Sequence, residues 1–232
     1  MCCRQLDVSP LAMRDWPQRP VPEHEIAVFL DRDGTINRDT HYPHRPEALE
    51  VLPGALEALA EIAALPVHVI VVTNQSGIAL GRYDVPAMSA FNEALRCRVE
   101  RAGGRIDAFY YCPHREHKDL GIGESPCGCS KPAPGMLIEA ARDFGVNLAG
   151  SYMVGDKSSD IEAGTTAGCT TILVRTGKAG REDGALRARP DVIVDDLMQA
   201  ARWLERALDG AFDGAETKRE LKDLVVPLAG RD

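Results

Sequence analysis

Short, unbroken apolar blocks alternate along this chain with longer stretches of helical spacing. Ile26 to Leu30, Val67 to Val72, Ile106 to Tyr111, Ser151 to Val154, Thr171 to Val174 and Val192 to Val194 are the short blocks. Blocks of that length, apolar at most positions, predict strands buried on both faces of a sheet. Between them, the stretches from Pro53 on, from Pro86 to Ala102, from Pro134 to Phe144 and at about 158–167 and 196–209 read as helices. Pro53 stands where the first turn of a helix tolerates proline, and Gly103-Gly104 and Gly145 stand where helices stop. The alternation predicts an α/β fold, a mostly parallel sheet with helices on both faces. One domain is expected over residues 26–209, with an irregular N-terminal leader at 1–25 and a weakly structured C-terminal tail at 210–232.

Composition narrows the class. With 232 residues and 44% hydrophobic content, the chain can build one such domain with a substantial core. A formal net charge of −8 argues against nucleic acid or an anionic membrane as a partner. No apolar run approaches the roughly 20 residues of a membrane span, and the N-terminus lacks a signal-peptide pattern. A cytoplasmic protein is therefore expected; the oligomeric state stays open, a monomer being the simplest case. In that setting seven cysteines are not a disulfide framework. Cys97, in a helical pattern, and Cys169, beside an apolar strand, read as core residues.

Chemistry gathers where strands end. Asp31 and Asp33 follow the first strand at i and i+2, so an extended backbone puts both carboxylates on one side. Two adjacent acids suit an aspartate nucleophile with an acid/base partner, and a divalent cation to offset their repulsion. The second strand runs into Thr73-Asn74-Gln75-Ser76-Gly77, whose hydroxyl and N–H groups could grip a phosphate oxygen. Lys131-Pro132 offers a cation before a helix, and Gly155-Asp156-Lys157 with Asp160 brings acids after another strand. Singly, these are a capped turn, a helix cap, a surface lysine and a strand-ending turn. Together they fit the crevice at the carboxyl ends of an open α/β sheet.

The loop 112–130 carries a second constellation. Cys112-Pro-His114 and Cys127-Gly-Cys129 are two close pairs twelve residues apart. Three sulfurs and an imidazole make the closed tetrahedral set of a structural Zn2+ site, with His117 a competing ligand.

The order acid pair, hydroxyl, lysine, acid resembles the signature of the haloacid dehalogenase superfamily, and the chain is similar to its phosphatases. The likeness covers about residues 26–208. It runs through Phe29-Leu-Asp-Arg-Asp-Gly-Thr-Ile-Asn37, Val71-Val-Thr-Asn-Gln-Ser-Gly-Ile78, Tyr110-Tyr-Cys-Pro-His114, Lys131-Pro-Ala-Pro-Gly-Met-Leu137 and Tyr152-Met-Val-Gly-Asp-Lys157. The resemblance implies a Rossmann-like haloacid dehalogenase fold with a minimal cap and a zinc-stabilised loop. It implies a Mg2+-dependent phosphatase in which Asp31 is the nucleophile and Asp33 the acid/base. Asp31, the Asp33 main-chain carbonyl and Asp156 would hold Mg2+, and Thr73 and Lys131 would stabilise the transferring phosphoryl group. Asp160 would support Lys157 and its loop.

With the long zinc loop, the resemblance narrows to the heptose bisphosphate phosphatases of that superfamily. Histidinol-phosphate phosphatases, with a shorter loop, are the near alternative, and a zinc-stabilised nucleic-acid end-processing module is the distant one. A small phosphorylated sugar is the implied substrate. Asp39, Thr40, His41, Tyr42, Thr73, Asn74, Gln75, Ser76, Ser130, Lys131 and Lys157 occupy the substrate-contacting positions. Members that prefer a β-anomer carry Arg where this chain has Ser130, so a preference for the α-anomer is expected.

Overall fold

The computed structural model describes Arg4–Leu6 and residues 26–115, 127–182 and 189–211. Seven strands form one sheet: β1 (Arg4–Leu6), β2 (Ala27–Leu30), β3 (His68–Asn74), β4 (Ala108–Cys112), β5 (Tyr152–Gly155), β6 (Thr170–Val174) and β7 (Val192–Val194). Their order across the sheet is β1-β4-β3-β2-β5-β6-β7. Every neighbouring pair is parallel except β1 with β4. The expected α/β architecture is therefore present, with one addition. Arg4–Leu6, expected to be irregular, adds an antiparallel edge strand, Arg4 opposite Tyr111 and Leu6 opposite Phe109. The rest of the leader, the C-terminal tail beyond 211 and the middle of the zinc loop with His117 lie outside the described residues.

Among the described residues five α-helices cover the sheet: α1 (Ala55–Ala64), α2 (Val85–Arg101), α3 (Gly135–Phe144), α4 (Ser158–Ala167) and α5 (Leu197–Ala211). Strand residues alternate between faces. Val28, Leu30, Val69 and Val71 join Leu59, Ile62, Phe91, Leu95 and Leu204 in the core under α1, α2 and α5. Ala27, Phe29, Ile70 and Val72 join Met136, Leu137 and Ala163 in the core under α3 and α4. Cys169 is buried as expected, whereas Cys97 is only half-buried.

Helix α1 starts later than the proline suggested. Gly54 adopts a left-handed conformation, φ 74°, and caps the helix, which leaves Pro53 in the preceding turn. Asp84 caps α2 by accepting the Ala87 N–H at 2.9 Å. Register brings the strand ends together: Leu30 lies opposite Val71 on one side and Val154 on the other. The Asp31 N–H then donates to Val154 O at 2.9 Å, so the residues following β2, β3 and β5 emerge side by side. Strand β3 continues through Thr73 and Asn74, which pair with Tyr111 and Cys112.

Candidate active site

Lys131 is the cation at the centre. Its Nζ lies 2.6 Å from Asp31 Oδ1 and 2.7 Å from Asp160 Oδ1, and donates to Val72 O at 2.8 Å. The ammonium is buried, as are both acids. Asn74 fixes the lysine backbone from both sides, Nδ2 donating to Lys131 O and Oδ1 accepting the Lys131 N–H, each at 3.0 Å. Burial works against the Asp31 carboxylate, yet Lys131 and Lys157 outweigh it and hold Asp31 below the usual carboxylate range. Burial likewise opposes the Lys131 charge, and Asp160 and Asp31 overcome it, so the lysine stays protonated above its ordinary range.

Asp160 does more than support its loop. Its Oδ2 accepts the Lys157 N–H at 3.0 Å, as expected, but its other oxygen faces Lys131 rather than the Lys157 side chain. Asp160 also lies with Asp31 and Asp156 in a buried carboxylate group whose ligand atoms are within 4.8 Å of one another. Against those three acids stand two lysines, so one negative charge is left over. Asp156 is the acid that resists carrying it: burial, with Asp31 and Asp160 adding to it against Lys157, pushes this carboxyl well above its usual range.

The segment after β6 shapes that acid. Lys178 N–H donates to Asp156 Oδ2 at 2.7 Å, Gly180 N–H to Asp156 O at 2.6 Å, and Thr176 Oγ1 to Gly34 O at 2.7 Å. Gly34 (φ 100°) and Gly177 (φ 59°) flank the carboxylate so closely that a Cβ on either would overlap it. Asp31 Oδ2 and Asp156 Oδ1, both buried, have no hydrogen-bond partner among the described residues.

Asp33 is gripped by side chains. Arg32 donates to Asp33 through Nε to Oδ1 at 3.0 Å and through a terminal nitrogen to Oδ2 at 2.8 Å. Asn37 Nδ2 adds a bond to Oδ1 at 2.9 Å and Gln75 Nε2 one to Oδ2 at 3.2 Å. Gln75 also donates to Thr73 Oγ1 at 2.8 Å and accepts from the Tyr83 hydroxyl at 2.7 Å. Burial pushes the Tyr83 phenol upward, which keeps it a neutral donor.

A cavity of about 650 Å³ opens over these groups. Asp31, Asp33, Asp39, His41, Tyr42, Thr73, Asn74, Gln75, Ser76, Lys131 and Lys157 line it, as do Tyr83, Lys178 and Glu182. Ser130 and Thr40 do not: Ser130 is fully buried, its hydroxyl without a partner among the described residues, and Thr40 is exposed. The loop over the cavity is backbone-strained, since His41 and Tyr42 take φ of 66° and 64°, values that non-glycine residues rarely adopt. Asp39 steadies it, accepting the His41 N–H at 3.2 Å and standing 3.7 Å from Lys157 Nζ. Arg82 lies 5.0 Å over the Tyr42 ring, and His44 stacks on Tyr83 at 4.7 Å.

Sequence reasoning missed Arg32, Tyr83 and the segment 176–180. That last segment had a signal: Thr176-Gly177-Lys178 follows a strand, as the other polar clusters do. The cysteine cluster formed from the predicted residues. Sulfurs of Cys112, Cys127 and Cys129 are 3.3–3.4 Å apart, and His114 Nδ1 is 3.5 Å from two of them, a set that could hold a metal ion. Cys112 O accepts the Gln75 N–H at 2.8 Å, and Cys129 precedes Ser130-Lys131, so the cluster adjoins the site from two directions.

Comparison with known proteins agrees with this geometry. The HAD-hydrolase-like (haloacid dehalogenase-like) family profile matches residues 128–200. A D-glycero-β-D-manno-heptose-1,7-bisphosphate 7-phosphatase of Vibrio cholerae is 39% identical over 182 residues, 78% of this chain and 96% of the relative. One of Salmonella typhi is 43% identical over 154 residues, 66% of this chain and 81% of the relative. The crystal structure of D,D-heptose 1,7-bisphosphate phosphatase from B. bronchiseptica, complexed with magnesium and phosphate, matches with a TM-score of 0.68 at 34% identity. That match covers 78% of this chain and 99% of the other. Among the described residues no helix is long and apolar enough to cross a membrane. The chain belongs to the haloacid dehalogenase-like hydrolases, within the family of the heptose bisphosphate 7-phosphatases, and it is a phosphatase.

Proposed function

We propose that the substrate is D-glycero-D-manno-heptose 1,7-bisphosphate, that its C7 phosphate is removed, and that Asp31 is the nucleophile. One observation carries the assignment: Asp31 Oδ1 is clamped by Lys131 at 2.6 Å while Oδ2, buried and without a partner among the described residues, lies in the carboxylate group with Asp156. A carboxylate held ionised and oriented in this way can attack phosphorus without a neighbouring base. The C7–O–P linkage breaks at phosphorus, and the sugar oxygen leaves with the electron pair and takes a proton from Asp33. Asp33 then receives a proton from the water that cleaves the aspartyl phosphate. Lys131 and the Thr73 hydroxyl stabilise charge on the phosphoryl oxygens, the larger part of catalysis in this chemistry.

Two metal assignments go with the reading. The buried carboxylate oxygens of Asp31 and Asp156 lie in one group with Asp160, and with the Asp33 main-chain carbonyl that the family resemblance adds they would make an all-oxygen set suited to Mg2+. When bound, Mg2+ supplies the positive charge that lets the phosphoryl group approach Asp31. Three sulfurs and an imidazole suit Zn2+. A tetrahedron with bonds of about 2.3 Å has edges near 3.7 Å, a few tenths longer than the sulfur spacing of 3.3–3.4 Å here. Cys112 and Cys129, held by such an ion, would keep Gln75 and Lys131 in register, with no part in the reaction itself.

Recognition of the sugar falls to the strained loop at Asp39, His41 and Tyr42, to Asn74, Gln75 and Ser76, and to Lys157. On the anomer two observations diverge: the named relatives are β-enzymes, whereas Ser130 offers no cation for a C1 phosphate. Phosphate release should be assayed on both heptose bisphosphate anomers and on histidinol phosphate. A heptose bisphosphate preferred by at least about tenfold in kcat/KM is expected. Histidinol phosphate as the better substrate overturns the assignment, and a clear β preference removes the α expectation.

A further inference from the structure

Arg32 is the largest fully buried side chain among the described residues, and in sequence it stands between the two acids of the site. Burying a guanidinium is costly unless its donors are met. Here four of its five donors are met: two by Asp33, one by Asn92 Oδ1 at 2.8 Å and one by Pro43 O at 3.1 Å. The plane of the group also covers the Phe91 ring, 4.6 Å from its centroid. Three separate parts of the chain thus converge on one side chain: the acid at 33, helix α2 through Phe91 and Asn92, and the end of the cavity loop through Pro43.

We propose that Arg32 is a positioning residue for proton transfer to the leaving group, one that fixes the Asp33 carboxyl and couples it to the sugar-recognising loop. The proposal rests on the acid/base role assigned to Asp33. An ionised carboxylate offers about four lone-pair sites, and Arg32 fills two of them in a planar two-pronged grip that admits a single orientation. Asn37 and Gln75 take the others. The Gln75 contact, at 3.2 Å, is the longest of the four, and Gln75 already holds Thr73 with its amide at 2.8 Å. That contact is the one to yield, which makes Oδ2 the oxygen that carries the proton. Lysine cannot replace arginine here, because a point charge does not fix a rotamer.

Leaving-group chemistry tests this. A sugar alkoxide needs a proton as it departs, whereas p-nitrophenolate does not, so lost acid positioning slows transfer to Asp31 only for the sugar; the later hydrolysis of the aspartyl phosphate, where Asp33 serves both substrates as base, does not enter kcat/KM. In Arg32→Lys, kcat/KM on heptose 1,7-bisphosphate should fall about tenfold or more beyond any fall on p-nitrophenyl phosphate, part of the 10²–10⁴-fold that general acid catalysis supplies. Should Arg32→Lys fail to fold by thermal melting, Asn92→Ala removes the anchor at the far end of the guanidinium and should give the same selective loss, at about threefold. Equal losses on both substrates, or none, overturn the proposal. Asp33→Asn separates the two ideas: a selective loss there without one in the Arg32 or Asn92 variant sinks the positioning role alone. No selective loss in Asp33→Asn sinks the acid assignment, and the positioning role with it.

Discussion

Replacing Gly177 by alanine tests how the chain holds Asp156, at a position that makes no bond to substrate. Gly177 has φ 59°, and a Cβ there would stand 2.8 Å from Asp156 Cγ and 2.8 Å from Gly34 Cα while overlapping Asp156 Oδ2 outright. Two costs follow. Left-handed backbone costs an alanine about 1–2 kcal/mol. The carboxylate must also retreat, which strains or breaks its 2.7 Å bond from the Lys178 N–H, a further ~1–3 kcal/mol for a buried group left unpaired. Gly168→Ala isolates the first cost, since Gly168 has φ 86° but nothing within 4 Å of a Cβ. Thermal unfolding should therefore place Gly177→Ala below Gly168→Ala by several degrees, at about 2–4 °C per kcal/mol for a domain of this size. Activity titrated with MgCl2 should need about 10–100-fold more Mg2+ in Gly177→Ala, the usual result of disturbing a group that orients a metal ligand. At saturating Mg2+, turnover should return to within a few-fold of wild type. Equal melting of the two variants with unchanged Mg2+ dependence would show that the glycine does not shape the acid site.

Three further outcomes are expected. Asp31→Asn should reduce turnover by about 10³-fold or more while the protein still folds, with a lower melting temperature because a carboxylate that Lys131 and Lys157 hold ionised is lost; activity within tenfold of wild type removes Asp31 as nucleophile. Cys127→Ala should lower zinc content by elemental analysis and lower activity with it, since Cys129 precedes Lys131 by two residues and Cys112 O holds Gln75; full zinc content in the variant counts against Cys127 as a ligand. Asp156 is raised above its ordinary value of 3.8 by burial, so between that value and its raised one the folded state binds more protons than the unfolded state. Stability without Mg2+ should then fall as pH rises through that window, and added Mg2+ should flatten the slope; a slope of opposite sign in melting temperature against pH would contradict the burial of this acid.

Much of the site was legible because it depends on where apolar blocks stop. Leu30, Val71 and Val154 share a register, so reading the end of each block correctly was enough to bring Asp31, Thr73 and Asp156 to one crevice. The zinc loop was legible for a different reason: cysteine and histidine at close spacing have few other uses. Pro53 misled because Pro-Gly also builds a turn, and Gly54 at φ 74° ends that turn before the helix begins. The three-residue strand β1 has no pattern of its own and exists only by pairing with β4.

Arg32 was hidden for a physical reason. Between two aspartates an arginine reads as a solvated charge, and its partners Phe91 and Asn92 lie some sixty residues away on α2. Yet the partner helix carries a mark. The buried face of α2 runs Met88, Phe91, Asn92, Leu95, Arg96, Val99; Glu93 of the same helix meets Arg96, whereas Asn92 is a polar amide whose partner, Arg32, comes from outside the helix. An amide buried there is costly unless something charged or polar meets it. Of the residues in the first acid motif only Arg32 has the reach and the donors to do so across the core under α2. A polar interruption on a buried helix face is thus evidence for a buried polar partner elsewhere, and here that partner grips the acid on which departure of the sugar depends.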